Sequence, residues 1–214
     1  MASTPLSPEM LGARIRQTRI AQGLRLEDLA SRAGFTKGFL SKIENGKASP
    51  PIATLLKLAA ALGVDATDLL QDDAGGAHDD PHATVHVRPE DRLEIANAAA
   101  GPGYQYLSLA ARRRLKMMEP FLITVRPEDV DREKTFQHPG EEFIFVVAGE
   151  TEYRVGDETY HLKQGDSLYF DASKPHAPYP KDVPVTFVAI FCAPPAQQAR
   201  AARRAAEAVA ASEA

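Results

Sequence analysis

Between residues 11 and 70 the large apolar side chains return at steps of three and four: Leu11 and Ile15; Leu26, Leu29 and Ala30; Leu40 and Ile43; Ile52, Leu55, Leu56 and Leu58; Leu62, Leu69 and Leu70. That period belongs to amphipathic helices, and it predicts five short ones. Gly23, Gly34 ahead of Thr36, Asn45-Gly46, Pro50-Pro51 and Gly63 ahead of Asp65 supply their stops and starts. The second helix opens on Arg25, where Ser or Thr would accept a hydrogen bond from the first turn. Either that end is weak or the arginine is there for another purpose.

Past residue 100 the pattern shortens to strand-like runs at 104–109, 121–125, 142–147, 152–155, 159–162, 167–170 and 185–192. Gly156-Asp157 predicts a tight hairpin, and Gly165-Asp166 and Lys174-Pro175 mark further corners. Many short strands around one core predict a small antiparallel barrel or a two-sheet jelly roll. The stretch 71–90 mixes acids, glycines and prolines with no apolar period and reads as a flexible linker. Residues 196–214 are mostly alanine, with Arg200, Arg203 and Arg204, and read as a frayed helix with little to bury. The expected domains are therefore 1–70, a helical bundle, and 91–195, a β-rich unit, joined by the linker and followed by the tail.

Charge separates these parts. Residues 1–70 hold nine Lys or Arg against six Asp or Glu, residues 71–90 one against five, and residues 91–195 twelve against sixteen. A head with three more basic than acidic residues can meet phosphates while the acidic body stays clear of them. The single cysteine, Cys192, excludes an intrachain disulfide and fits a reducing compartment. No apolar run approaches the ~20 residues that cross a bilayer. The expectation is a cytoplasmic protein with no membrane segment.

The segment from Leu24 to Leu62, LRLEDLASRAGFTKGFLSKIENGKASPPIATLLKLAAAL, resembles the helix-turn-helix of the Xre family of bacterial and phage repressors. The resemblance implies that the helix beginning at Leu26 supports a recognition helix over 36–45, which enters the major groove of double-stranded DNA. Phe39, Leu40 and Ile43 make that helix's apolar face, leaving Thr36, Lys37, Ser41 and Lys42 outward, with Gly38 permitting close approach. Lys37 and Lys42 can donate to guanine edges or phosphates, and Asn45 and Lys47 can hold the backbone. Arg25 then gains a use as a phosphate contact. Read without the resemblance, the same lysines are solvated charges on a small bundle.

The segment 136–176 resembles the cupin superfamily. FQHPGEEFIFVVAG places His138, Glu142 and Gly149 in register with its first motif, except that Phe136 stands where the first histidine is expected. Gly165-Asp166 and His176 match the second motif. The resemblance implies that His138, Glu142 and His176 form a two-His-one-carboxylate set able to hold iron(II), zinc, manganese or nickel. With Phe136 in place of a nitrogen ligand, the pocket either holds an ion through three groups or serves an organic effector alone. Tyr104 and Tyr106 alternate with Gln105 and with Phe136 are the effector-pocket candidates, or simply pack. His161 falls outside both motifs. His78, His82 and His86 recur every four residues, but Gly75, Gly76 and Pro81 break the helix that would align them.

Together the motifs resemble a transcriptional regulator: α then β, a five-helix helix-turn-helix bundle followed by a cupin-like antiparallel β-barrel. The resemblance implies a homodimer on a palindromic operator whose cupin units sense a small-molecule effector, with no catalytic residues. A rival resemblance is to an iron-dependent epoxidase acting on hydroxypropylphosphonate, in which a helix-turn-helix-like head also precedes a cupin.

Overall fold

A computed structural model describes residues 7–64, 66–70, 84–95, 104–111, 113 and 116–192. Most of the expected linker and the whole alanine-rich tail lie outside the described residues.

The head is built from α1 (Pro8–Ala21), α2 (Leu26–Ala33), α3 (Lys37–Glu44), α4 (Ile52–Leu62) and a five-residue turn of helix, α5 (Ala66–Leu70). The expected bundle of five helices is therefore corrected to four helices of two turns or more, because the run after Gly63 is too short to propagate. Ser7 caps α1 by accepting from the Met10 amide at 3.3 Å, and Thr36 caps α3 by accepting from the Phe39 amide at 3.2 Å. Arg25 does not cap α2 with its own side chain. Its backbone N–H instead donates to the Asp28 carboxylate at 2.9 Å, half of a capping box. Leu11, Ile15, Leu29, Leu40, Ile43, Leu55 and Leu58 close the core. At Gly12 a side-chain carbon would lie 2.3 Å from the Ile43 carbonyl oxygen, so α1 and α3 touch through backbone.

The second unit has β1 (Leu93–Ile95), β2 (Tyr104–Ser108), β3 (Met118–Val125), β4 (Glu141–Ala148), β5 (Glu150–Val155), β6 (Glu158–Lys163), β7 (Ser167–Asp171), β8 (His176–Tyr179) and β9 (Val185–Cys192). They form a six-stranded antiparallel sheet ordered β1-β2-β3-β9-β4-β7 and a three-stranded one ordered β6-β5-β8. Of the two expected forms, the two-sheet jelly roll is found and the closed barrel is corrected, since no ladder joins the sheets among the described residues. The expected hairpin at Gly156-Asp157 is present, with Glu158 paired to Val155 and Gly156 at φ 59°. Sequence periodicity missed β1 and β8. The first has only three residues, and the second carries Pro178, which an edge strand tolerates because its outward side needs no ladder donor. Inward side chains including Phe121, Ile123, Ile144, Tyr153 and Phe187 fill the space between the sheets.

Candidate functional site

On the head, Thr36, Lys37, Gly38 and Lys42 are exposed together on or beside α3, with Arg25 exposed at the start of α2 and Lys47 beyond the turn. Ser41 is half-buried, and its backbone carbonyl accepts from the Asn45 side-chain amide at 2.7 Å, which turns Asn45 back on its own helix. Lys37 is ion-paired to the exposed Glu27 carboxylate of α2, a partner not anticipated from the sequence. That hydrogen bond holds the Glu27 carboxyl below its ordinary range. Beneath this surface the Arg19 guanidinium grips Glu44 with two bonds of 2.7 and 2.8 Å and donates to the Leu24 carbonyl at 2.9 Å, fixing α3 on α1. The result is a rigid helix presenting small and cationic side chains outward, suited to a groove lined with phosphates.

In the β unit His138, Glu142 and His176 are all buried and their ligating atoms lie within 4.8 Å of one another. Glu142 projects inward from β4 and His176 from the start of β8, while His138 sits in the loop ahead of β4. His138 and Glu142 do not share one continuous strand. Pro139 and Gly140, the latter at φ 102°, interrupt the extended chain, and the His138 amide is anchored by donating to the Ala172 carbonyl at 2.9 Å. His138 Nε2 and His176 Nε2 approach the same oxygen, Glu142 Oε2, at 3.2 and 3.3 Å. Burial acts to raise the Glu142 carboxyl, but its contacts with the two imidazoles outweigh that and leave the group below its ordinary value.

The donor set fits a divalent ion. His176 Nδ1 lies 2.8 Å from the Lys174 carbonyl, so a proton on Nδ1 leaves Nε2 as a lone pair facing a carboxylate. Two acceptors at 3.3 Å call for a cation between them or a proton on the ring. Ligands about 2.1 Å from a common ion at tetrahedral or octahedral angles stand ~3.0–3.4 Å apart, the spacing of both His–Glu pairs here. Phe136 is paired through its backbone with His176, and its ring centroid is 6.5 Å from the imidazole, so an apolar ring occupies the flank where a further nitrogen was missing.

The cluster lies in a cavity whose walls include Tyr104 and Tyr106, stacked with centroids 6.2 Å apart, and Phe136, edge-on to Tyr104 at 5.1 Å. Six wall residues escaped the sequence reading: Ile52, Ile123, Tyr153, Pro178, Phe187 and Phe191. Tyr153 faces inward from β5, in a run whose alternation with Thr151 and Val155 was available, and shares the cavity wall with Glu142. Ile52 comes from the start of α4 in the head, which no strand pattern could indicate. Burial pushes the phenols of Tyr104, Tyr106 and Tyr153 up, so all three offer O–H groups at neutral pH. His161 is exposed on β6, away from the cluster.

Comparison with known proteins covers both units. Residues 15–69 match the helix-turn-helix family and residues 121–191 the cupin domain family. The HTH-type transcriptional regulator PuuR of Escherichia coli (strain K12) is 27% identical over 177 residues, 83% of this chain and 89% of that protein. Over the head, the uncharacterized HTH-type transcriptional regulator y4dJ of Sinorhizobium fredii is 36% identical across 62 residues, 29% of this chain and 80% of that protein. Among solved structures, an HTH_3 family transcriptional regulator from Vibrio cholerae superposes with a TM-score of 0.63 at 22% identity, covering 87% of this chain and 97% of the other, a likeness of fold. Among the described residues no helix is long and apolar enough to cross a membrane.

Proposed function

The chain belongs to the helix-turn-helix transcriptional regulators that carry a cupin domain, and from that premise we propose that it binds a palindromic operator as a homodimer and answers to a small-molecule effector in the cupin cavity. The observation that carries this reading is the exposed face of α3. Thr36, Lys37, Gly38 and Lys42 are exposed on or beside a helix locked from below by Arg19 and Glu44. One eight-residue recognition helix reads only a half-site, so two copies about one helical turn of DNA apart, ~34–36 Å, give the specificity a regulator needs.

The outside of the six-stranded sheet would receive the second copy. Leu107, Leu122, Val188 and Phe145 align across four strands, and Pro120, Ile190, Phe143 and Tyr169 form a second row. Phe145 and Tyr169 are exposed. An apolar face spanning several strands marks an interaction site, and a two-fold axis would set the same patch of each copy against the other.

In the cavity, His138, Glu142 and His176 would hold the ion, iron(II), zinc, manganese or nickel, and Tyr104, Tyr106 and Phe136 would face the effector. The ion would supply open coordination positions for an effector oxygen or nitrogen. The His-Glu-His cluster also supports a second reading, a non-haem iron oxygenase. Gel-shift titration against fragments flanking the gene is expected to retain one salt-sensitive site, with Lys37→Ala and Lys42→Ala each weakening it across sequences. Equal binding to all DNA at physiological salt would overturn the regulator. Oxygen uptake by the iron-loaded protein with hydroxypropylphosphonate would establish the second reading in its place. Sedimentation of Phe145→Glu is expected to show a monomer.

A further inference from the structure

Eleven of the twelve residues lining the cavity belong to the cupin unit; the twelfth is Ile52, the first residue of α4 in the DNA-reading head. Ile52 is 2% exposed. The free space beside it is about 20 Å³. One water needs on the order of 10–15 Å³, so the cavity as it stands takes one or two waters or an ion, and no organic molecule of effector size.

A larger ligand enters only if part of the wall moves, and the walls differ in how firmly they are held. Tyr104, Tyr106 and Ile123 are fixed in the ladder of β2 and β3, and Phe136 and His176 are bonded to each other through both backbone amides, at 2.8 and 2.9 Å. Ile52 belongs to a separate unit, connected to the cupin through residues 71–83. It is also linked to the recognition helix through α2, which packs on both α4 and α3. α4 packs on α2, and the Lys57 ammonium of α4 stands 5.9 Å from the ring centroid of Phe35, in the turn between α2 and α3.

We propose that Ile52 is the movable wall of the cavity and the specificity-determining residue for ligand size, so that an organic effector displaces α4 and with it the recognition helix. This rests on the cavity being the effector site. The coupling is steric and direct: whatever binds beyond the space of two waters must shift the head, and a head held on DNA must resist that ligand to the same degree.

The test uses the full chain with EDTA present. Phe136→Cys in a Cys192→Ser background places one thiol in the cavity, and dithionitrobenzoate, too large for about 20 Å³ of free space, reports access. Adding Ile52→Ala is expected to raise the labelling rate about tenfold, and Ile52→Val by a smaller factor. Equal rates in all three proteins, with unchanged helical circular dichroism, would overturn the movable wall. The second arm takes the Phe136→Cys, Cys192→Ser protein through prolonged labelling and measures the resulting thionitrobenzoate adduct against the DNA fragment that the unlabelled protein retains. Operator affinity is expected to fall at least tenfold on labelling and to return with dithiothreitol. An adduct that leaves affinity unchanged sinks the coupling. If the unlabelled protein selects no fragment, the regulator reading fails, and the labelling rates still judge the wall.

Discussion

Arg19 of α1 and Glu44 of α3 meet in a two-bond ion pair at 2.7 and 2.8 Å, with side chains only 11% and 5% exposed. Removing one partner leaves a charge buried without compensation, which costs about 3–5 kcal/mol. Glu44→Ala is therefore expected to shift urea unfolding of the head by that order and to release α3. Loss of operator binding should track the loss of helix. A shift under about 1 kcal/mol would show that water relieves the stranded guanidinium.

Lys37 is engaged by Glu27 before any DNA arrives. Both groups are exposed, so the pair itself contributes little to stability and mainly competes with phosphate. Glu27→Gln removes a negative charge from the binding face and frees the ammonium. Operator affinity at low salt is expected to rise about threefold to tenfold, shrinking as salt is raised. Because the Glu27 carboxyl is held low, the native pair is complete above the ordinary carboxylate pKa and dissolves as pH falls through the lowered one. The advantage of Glu27→Gln should vanish in that acidic window.

At the His-Glu-His cluster, Phe136 lies beside His176, and a nitrogen there would add a donor to the three present. Phe136→His is expected to tighten nickel or zinc at least tenfold in calorimetric titration, while Glu142→Gln or His176→Ala abolishes binding in both backgrounds. Wild type and Phe136→His both remaining free of metal at saturating ion would assign the pocket to an organic effector alone.

Gly12 has no room for a side chain, its added carbon falling 2.3 Å from the Ile43 carbonyl oxygen and 2.9 Å from that of Glu44. Backbone cannot swing aside as a side chain can. Gly12→Ala should push α1 off α3 and destabilise the head by about 1–3 kcal/mol, read by thermal unfolding, against the gain usual for Gly→Ala in an exposed helix.

How much the sequence determined by itself follows from which signals are local. The helical period of Leu11 to Leu62, the Thr36 cap and the Gly156-Asp157 hairpin are set by residues near one another in the chain, and each appears in the fold where its pattern placed it. Local signals also overreached. Nothing within the run 66–70 says that it ends after five residues, and strand alternation does not say whether two sheets join into a closed barrel. That depends on which edges pair across long loops. Tertiary structure alone decided that His138 leaves the strand at Pro139-Gly140 yet still reaches Glu142, that Tyr153 joins the cavity wall, and that Glu27 claims Lys37 across two helices. Ile52 is the clearest case: its periodicity marks it as helix core, and only the packing of one unit on another makes it a wall of a cavity built from strands more than fifty residues away. Periodicity records which face of an element avoids water, but not what that face meets, because burial is satisfied by any apolar partner.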